Sequence, residues 1–237
     1  MRTVVAVAGL LAFAGLFAAL GAWQLRRAHE NRALEAQFEA GANGAPLREL
    51  PTVLTDANRF RRVEVRGVFL AEPQFLLDNM LHDGMAGYQV LTLLRVEGTR
   101  RRLVVNRGWV AGGLDRSVLP EVGAPTDSRT LVGRIERLPR PGLRLGAASA
   151  PSAGPAGSVA VVQYPTMDEL AARVGEPLFE YQLLLDPDQP DGYVRDWRAP
   201  GISPERNLIY AGQWWLLAAG ALGAALTIAY RSSRRRS

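Results

Sequence analysis

Met80, His82 and Met85 stand within six residues of one another in "MLHDGM". Thioether and imidazole groups together suit Cu(I). In a strand, Met80 and His82 share a face, because side chains repeat every two residues. The same hexapeptide also reads as a hairpin, with "HDG" as the turn and the methionines filling apolar space nearby.

His29, the other of the chain's two histidines, follows a long apolar run and is a candidate haem ligand or a solvated helix residue. Other catalytic templates are missing: the chain has no H-E-x-x-H, no G-x-S-x-G and no Gly-rich phosphate loop before a basic helix start. With no Cys it has no disulfide, thiol nucleophile or thiolate metal site. The expectation is a protein that is not an enzyme.

A further cluster lies at the ends of two apolar segments. Trp23 and Arg27 are four apart, with Gln24 between them; Tyr210, Gln213 and Trp214 follow helical spacing of three and four. These residues could line one pocket at a membrane surface. Trp and Tyr also form ordinary interfacial belts. A belt accounts for the rings but not for Gln24 and Gln213, whose amides need partners when buried.

The elements that would position these groups follow from hydropathy and charge. Residues 4–23 and 208–230 carry no charge, and about 20 apolar residues suffice to cross the hydrocarbon layer as a helix. Both are expected to span a membrane, although the first could instead be a secretory signal. Of 28 basic residues, Arg2, Arg231, Arg234, Arg235 and Arg236 lie on the tails and the other 23 fall between the spans. The 23 acidic residues all fall between them, so the net charge of +5 sits on the tails. That excess is the signature of cytoplasmic flanks and gives no sign of nucleic-acid binding. The expected layout is a cytoplasmic segment 1–3, a periplasmic domain 24–207 and a basic cytoplasmic tail 231–237, in an inner membrane with its lipid.

Within 24–207, "QLRRAHENRALEAQFEA" extends the first helix as a stalk that "GANGAP" ends. Short β-rich runs follow: "RRVEVRGVFL", "QFLLDN", "YQVLTLLRV", "RRLVVNRGWV", "RTLVGRIERL", "VAVVQY" and "FEYQLLLD". "EGTR" reads as a hairpin turn. Thr166 and Glu169 form a capping box for one helix that Gly175 stops. "GAASAPSAGPAGS" reads as a loop and "PDQPDGYVRDWRAPGISPE" as a turn-rich linker. The expected fold is an antiparallel sheet or small barrel, α+β, between two membrane helices.

The pieces "WQLRRAHENRAL", "LLDNMLHDGMAGYQVLTLL", "LVVNRGWV", "GEPLFEYQLLLD" and "PERNLIYAGQWW", in this order and with this two-helix layout, resemble the Surfeit locus protein 1 (Surf/Shy) family of cytochrome c oxidase assembly factors. The resemblance implies a non-enzymatic factor that helps place haem a in the catalytic subunit of the oxidase, with haem a synthase as a donor. It also implies that Arg27 or Arg206 could meet a haem propionate.

The resemblance further implies a histidine, as axial ligand, at the position that Asn207 occupies here; an amide is a poor substitute for imidazole. It would also place an Arg at Met80 and a proline after "RGWV". Three accounts follow: His29 or His82 supplies the ligand, haem is held without this ligand or only in passing, or assembly proceeds through protein contacts alone. A membrane-anchored copper module built on Met80, His82 and Met85 is the alternative.

Overall fold

In a computed structural model the described residues are 1–113, 115, 118–140 and 159–234. They form two compact units: 1–38 with 199–237, and 39–198.

The first unit is a helix pair. Helix α1 runs Arg2–Asn43, and the last helix, α3, runs Pro204–Arg234. Both contain windows long and apolar enough to cross a membrane, and almost none of either window is buried against protein. A core helix of a soluble domain would bury one face, so these are membrane spans. Pro204 opens α3 where its missing N–H costs nothing, and Ser203 receives the backbone N–H of Arg206 on its Oγ at 3.4 Å.

The second unit is a barrel. Its strands are β1 (Arg62–His82), β2 (Met85–Val96), β3 (Arg102–Ala111), β4 (Ser128–Glu136), β5 (Ala160–Val162) and β6 (Leu178–Leu185), with helix α2 (Met167–Val174) between the last two. Neighbours run β2–β3–β6–β4–β1, and β1 also pairs with β2, so five strands close on themselves. β5 adds to the far half of β1.

Alternation along the strands fills the interior. Val63, Val65 and Phe69 of β1 meet Leu94 and Val96 of β2, Leu103 and Val105 of β3, Leu131 and Ile135 of β4, and Phe179, Tyr181, Leu183 and Leu185 of β6. The Tyr181 hydroxyl donates to the Pro51 carbonyl at 2.7 Å, and burial pushes its pKa up. A second apolar layer outside the barrel includes Phe75, Leu77, Leu91, Leu93 and Val104, covered by Leu170 of α2. The Thr166–Glu169 capping box and the left-handed Gly175 bound α2 as the sequence predicts.

Three expectations change. The sheet is mixed, because β3–β6 and β1–β5 are parallel; the strands that must close the barrel are far apart in sequence and come together by crossover. "RRVEVRGVFL" and "QFLLDN" belong to one 21-residue strand whose register shifts between Phe69 and Gln74. That shift lets its first half pair with β4 and its second with β5.

The third change concerns the turn-rich linker, which is a strap bound to the barrel. Trp109 and Val194 exchange backbone hydrogen bonds of 2.7 and 3.1 Å, and Tyr193 N–H donates to Arg107 O at 2.7 Å. Arg195 Nη1 donates to the carbonyls of Asp186 and Gln189, both at 2.7 Å, and Trp197 Nε1 to that of Leu185 at 2.7 Å. Its many turn residues mark irregular backbone, but that backbone satisfies its polar groups on the sheet. The "EGTR" stretch does join β2 to β3, with Gly98 at φ 78°. The "GAASAPSAGPAGS" loop lies outside the described residues.

Candidate functional site

In the helix pair, Phe17, Gly21, Gln24, Ala28 and Asn31 of α1, spaced alternately four and three, form a line of buried and half-buried positions, with Leu20, Ala22 and Leu25 half-buried beside it. The matching line on α3 is Pro204, Asn207, Ala211, Trp214, Ala218, Ala221 and Ala225, spaced three and four, with Gly212 half-buried beside it. This alternation averages 3.5 residues, the seam of two helices packed side by side. Small residues let the backbones approach, as in membrane helix pairs generally.

Contacts fix an antiparallel register. The Phe17 and Trp214 rings stack at 5.7 Å between centroids, a side chain at Gly21 would overlap the Trp215 indole, and Asn31 Nδ2 donates to Ile202 O at 2.8 Å.

Besides Asn31, two amides interrupt this apolar line. Asn207 is 5 % exposed, and its Nδ2 is buried without a hydrogen-bond partner. Gln24 Oε1 is likewise buried and unpartnered. One is a donor without an acceptor, the other an acceptor without a donor.

The residues expected to line a pocket divide accordingly. Gln24, Asn207 and Trp214 share the seam. Trp23 is 48 % exposed and Tyr210 45 %, and Arg27, Arg206 and Gln213 are also exposed. These five lie beside or behind the seam, because a helix turns about 100° per residue and the seam already takes the intervening positions. Arg27 instead pairs with Glu30 at 2.9 Å, an exposed contact of little energetic weight. The rings and the arginines fit the belt reading of the helix ends.

His29 is exposed on α1. In the barrel, Asp83 and Gly84 turn the β1–β2 hairpin at φ 48° and 77°, with His82 opposite Met85. His82 packs on Trp109, ring centroids 5.2 Å apart, and its Nε2 lies 3.5 Å from Asp83 Oδ2. Met80 packs against the second apolar layer and its carbonyl accepts from Trp109 Nε1 at 2.9 Å; Met85 is 56 % exposed. Among the described residues no group of three His, Cys, Asp or Glu side chains could hold a metal ion.

The sequence matches the model of the SURF1 family over residues 11–219. That stretch takes in most of α1, the whole barrel and the first half of α3. The chain belongs to the SURF1 family. It is also 33 % identical, over 129 residues, to a SURF1-like protein of Monosiga brevicollis, a match covering 49 % of this chain and 45 % of that protein. SURF1 membership and two spans around a β-rich domain agree with the resemblance read from the motifs.

Two groups, Gly21 and Arg107, escaped sequence reasoning. Gly21 is where the Trp215 indole meets α1, and only the pairing of the helices reveals it. Arg107 of "NRGWV" is 4 % exposed inside the barrel unit. Its Nε donates to Asp191 O at 2.7 Å and its Nη1 to Gly123 O at 2.6 Å, while the Phe69 and Tyr193 rings lie 5.3 and 5.1 Å from its guanidinium carbon. Burial pushes its pKa down against the nearby Tyr193 and Asp191. A charge bound mainly by carbonyls pins two loops to the barrel.

Proposed function

We propose that this SURF1 protein is a membrane-anchored, non-enzymatic assembly factor for haem-copper cytochrome c oxidase, acting on the catalytic subunit at the stage when haem a is inserted. The family match over residues 11–219 carries this reading. The basic flanks at Arg2 and Arg231 to Arg236 support an inner-membrane topology with both ends cytoplasmic and the barrel periplasmic.

The residues present do not fit an axial haem ligand in the helix seam. The only seam group with a free donor at the family's histidine position is an amide nitrogen, which has no lone pair to offer iron. Within the helix pair the histidine, His29, is exposed rather than in the seam, and the seam is closed at this level: Ala28, Asn207 and Ala211 are buried and the Trp215 indole fills the space over Gly21. This chain therefore works through contacts with the oxidase subunit, and with haem a synthase where haem passes on.

The test is purification of the full chain in mild detergent from cells that make haem a and the oxidase. The expected outcome is co-purified catalytic subunit, and a wash-resistant Soret band no stronger than in Asn207→Ala. A wash-resistant band that His29→Ala or Asn207→Ala abolishes would restore direct haem binding, and bound copper lost in His82→Ala would favour the hairpin copper site.

A further inference from the structure

Gln24 and Asn207 lie in the seam between two membrane helices, where an amide is costly unless it is paired. Neither the Asn207 Nδ2 donor nor the Gln24 Oε1 acceptor has a partner, and both atoms are sealed from solvent. Their levels coincide. Gln24 lies midway along α1 between Phe17 and Asn31, and the midpoint of the partners of those two, Trp214 and Ile202, falls beside Asn207. One residue of helix is an axial offset of about 1.5 Å, within the reach of two side-chain torsions. Each residue lies on its helix's three-and-four line, Asn207 buried and Gln24 half-buried, so both face the opposite helix.

We propose that Gln24 and Asn207 are each other's partner: in the membrane they rotate into an interhelical amide hydrogen bond, Asn207 Nδ2–H to Gln24 Oε1, that fixes the register and rotation of α1 against α3. Small seam residues alone leave the pair free to slide by a turn, because alanines repeat at Ala211, Ala218, Ala221 and Ala225. A single polar pair breaks that degeneracy, since any slipped register strands both amides in an apolar seam. The Asn31 bond to Ile202 O holds the same register next to it and cannot replace the pair, because its acceptor lies before α3 begins.

This inference stands on the helix pair alone and holds whichever protein the factor serves. Its test uses the full chain in lipid nanodiscs with the Asn and Gln side-chain amides labelled for NMR. The Asn207 side-chain protons should be protected from exchange in the parent protein and lose that protection in Gln24→Leu. The swapped variant Gln24→Asn with Asn207→Gln should regain it. In unfolding titrations, the Gln24→Leu and Asn207→Leu effects should couple by about three- to tenfold in the equilibrium constant, as for other interhelical hydrogen bonds in membranes. Unchanged protection in Gln24→Leu would assign the amide to a water or ligand and overturn the proposal, as would single-variant effects that simply add.

Discussion

Gly108 lies between Arg107, whose side chain is buried, and Trp109, which pairs with the strap at Val194, and its φ is 109°. A Cβ there would sit 2.6 Å from the Val194 carbonyl oxygen and 3.0 Å from the Tyr193 carbonyl carbon, both backbone atoms. Gly108→Ala therefore meets two penalties. A backbone region open to little but glycine costs about 1–3 kcal/mol, and pressing a methyl against fixed backbone costs about 1–3 kcal/mol more. A stiffer unfolded chain offsets about 0.4–1 kcal/mol. The net loss is roughly 1–5.5 kcal/mol, centred on about 3 kcal/mol. Gly98→Ala is the control: its φ is 78° but no atom lies within 4 Å of its Cβ position. It has only the strain, less the same offset, so it should lose about 1 kcal/mol. Urea titration of the full chain in mild detergent, followed by the fluorescence of Trp109 and Trp197, reads both. With a slope near 2 kcal/mol per molar, the midpoint falls by about 1–2 M in Gly108→Ala and by about 0.5 M in Gly98→Ala. Equal shifts in the two variants would refute the claim that the strap is seated on β3 at this glycine.

Arg107→Lys should cost about 2–3 kcal/mol by the same titration, because an ammonium cannot reach the Asp191 and Gly123 carbonyls with the spacing of a guanidinium fork. Thr166→Ala should cost about 0.5–2 kcal/mol and raise amide exchange in α2, since the Glu169 N–H loses its acceptor at 3.1 Å. Burial raises the pKa of Glu136 despite its 2.9 Å contact with Arg59. The folded chain thus holds this proton to higher pH than the unfolded chain, so the stability it contributes is present below the unfolded pKa and is lost as pH rises through the folded one. Glu136→Gln should flatten that fall, by no more than about 1.4 kcal/mol per pH unit, in midpoints measured from pH 4 upward.

The elements that the sequence announces are those whose cause is local. The capping box at Thr166 and Glu169, the Asp83–Gly84 turn and the two apolar spans each depend on residues within a few positions of one another. Barrel closure depends on β3 meeting β6 across some 70 residues of intervening chain, and no short-range pattern encodes that pairing. The strap is hidden for a related reason. Its prolines and glycines report irregular backbone, whereas the acceptors that hold it, such as the Asp186 and Leu185 carbonyls, belong to a strand end.

The candidate site shows the same division in one place. Trp23 and Gln24 are neighbours in sequence, yet the exposed indole belongs to the belt and the amide to the seam. Aromatic rings at a helix end are at home in the interface whichever way they point, so their presence says nothing about pairing. A buried amide does: it is tolerated only where another polar group meets it, and so Gln24 and Asn207 mark the line along which α1 and α3 face each other. Asn207, where the family resemblance implies a histidine, then belongs to a helix pair whose polar groups answer to each other rather than to iron. A histidine introduced by Asn207→His would then strand Gln24 Oε1 unless the imidazole took up the same bond. The expected result is a variant that folds with the barrel intact but with looser helix pairing, seen as faster exchange along the seam while the Trp109 environment is unchanged.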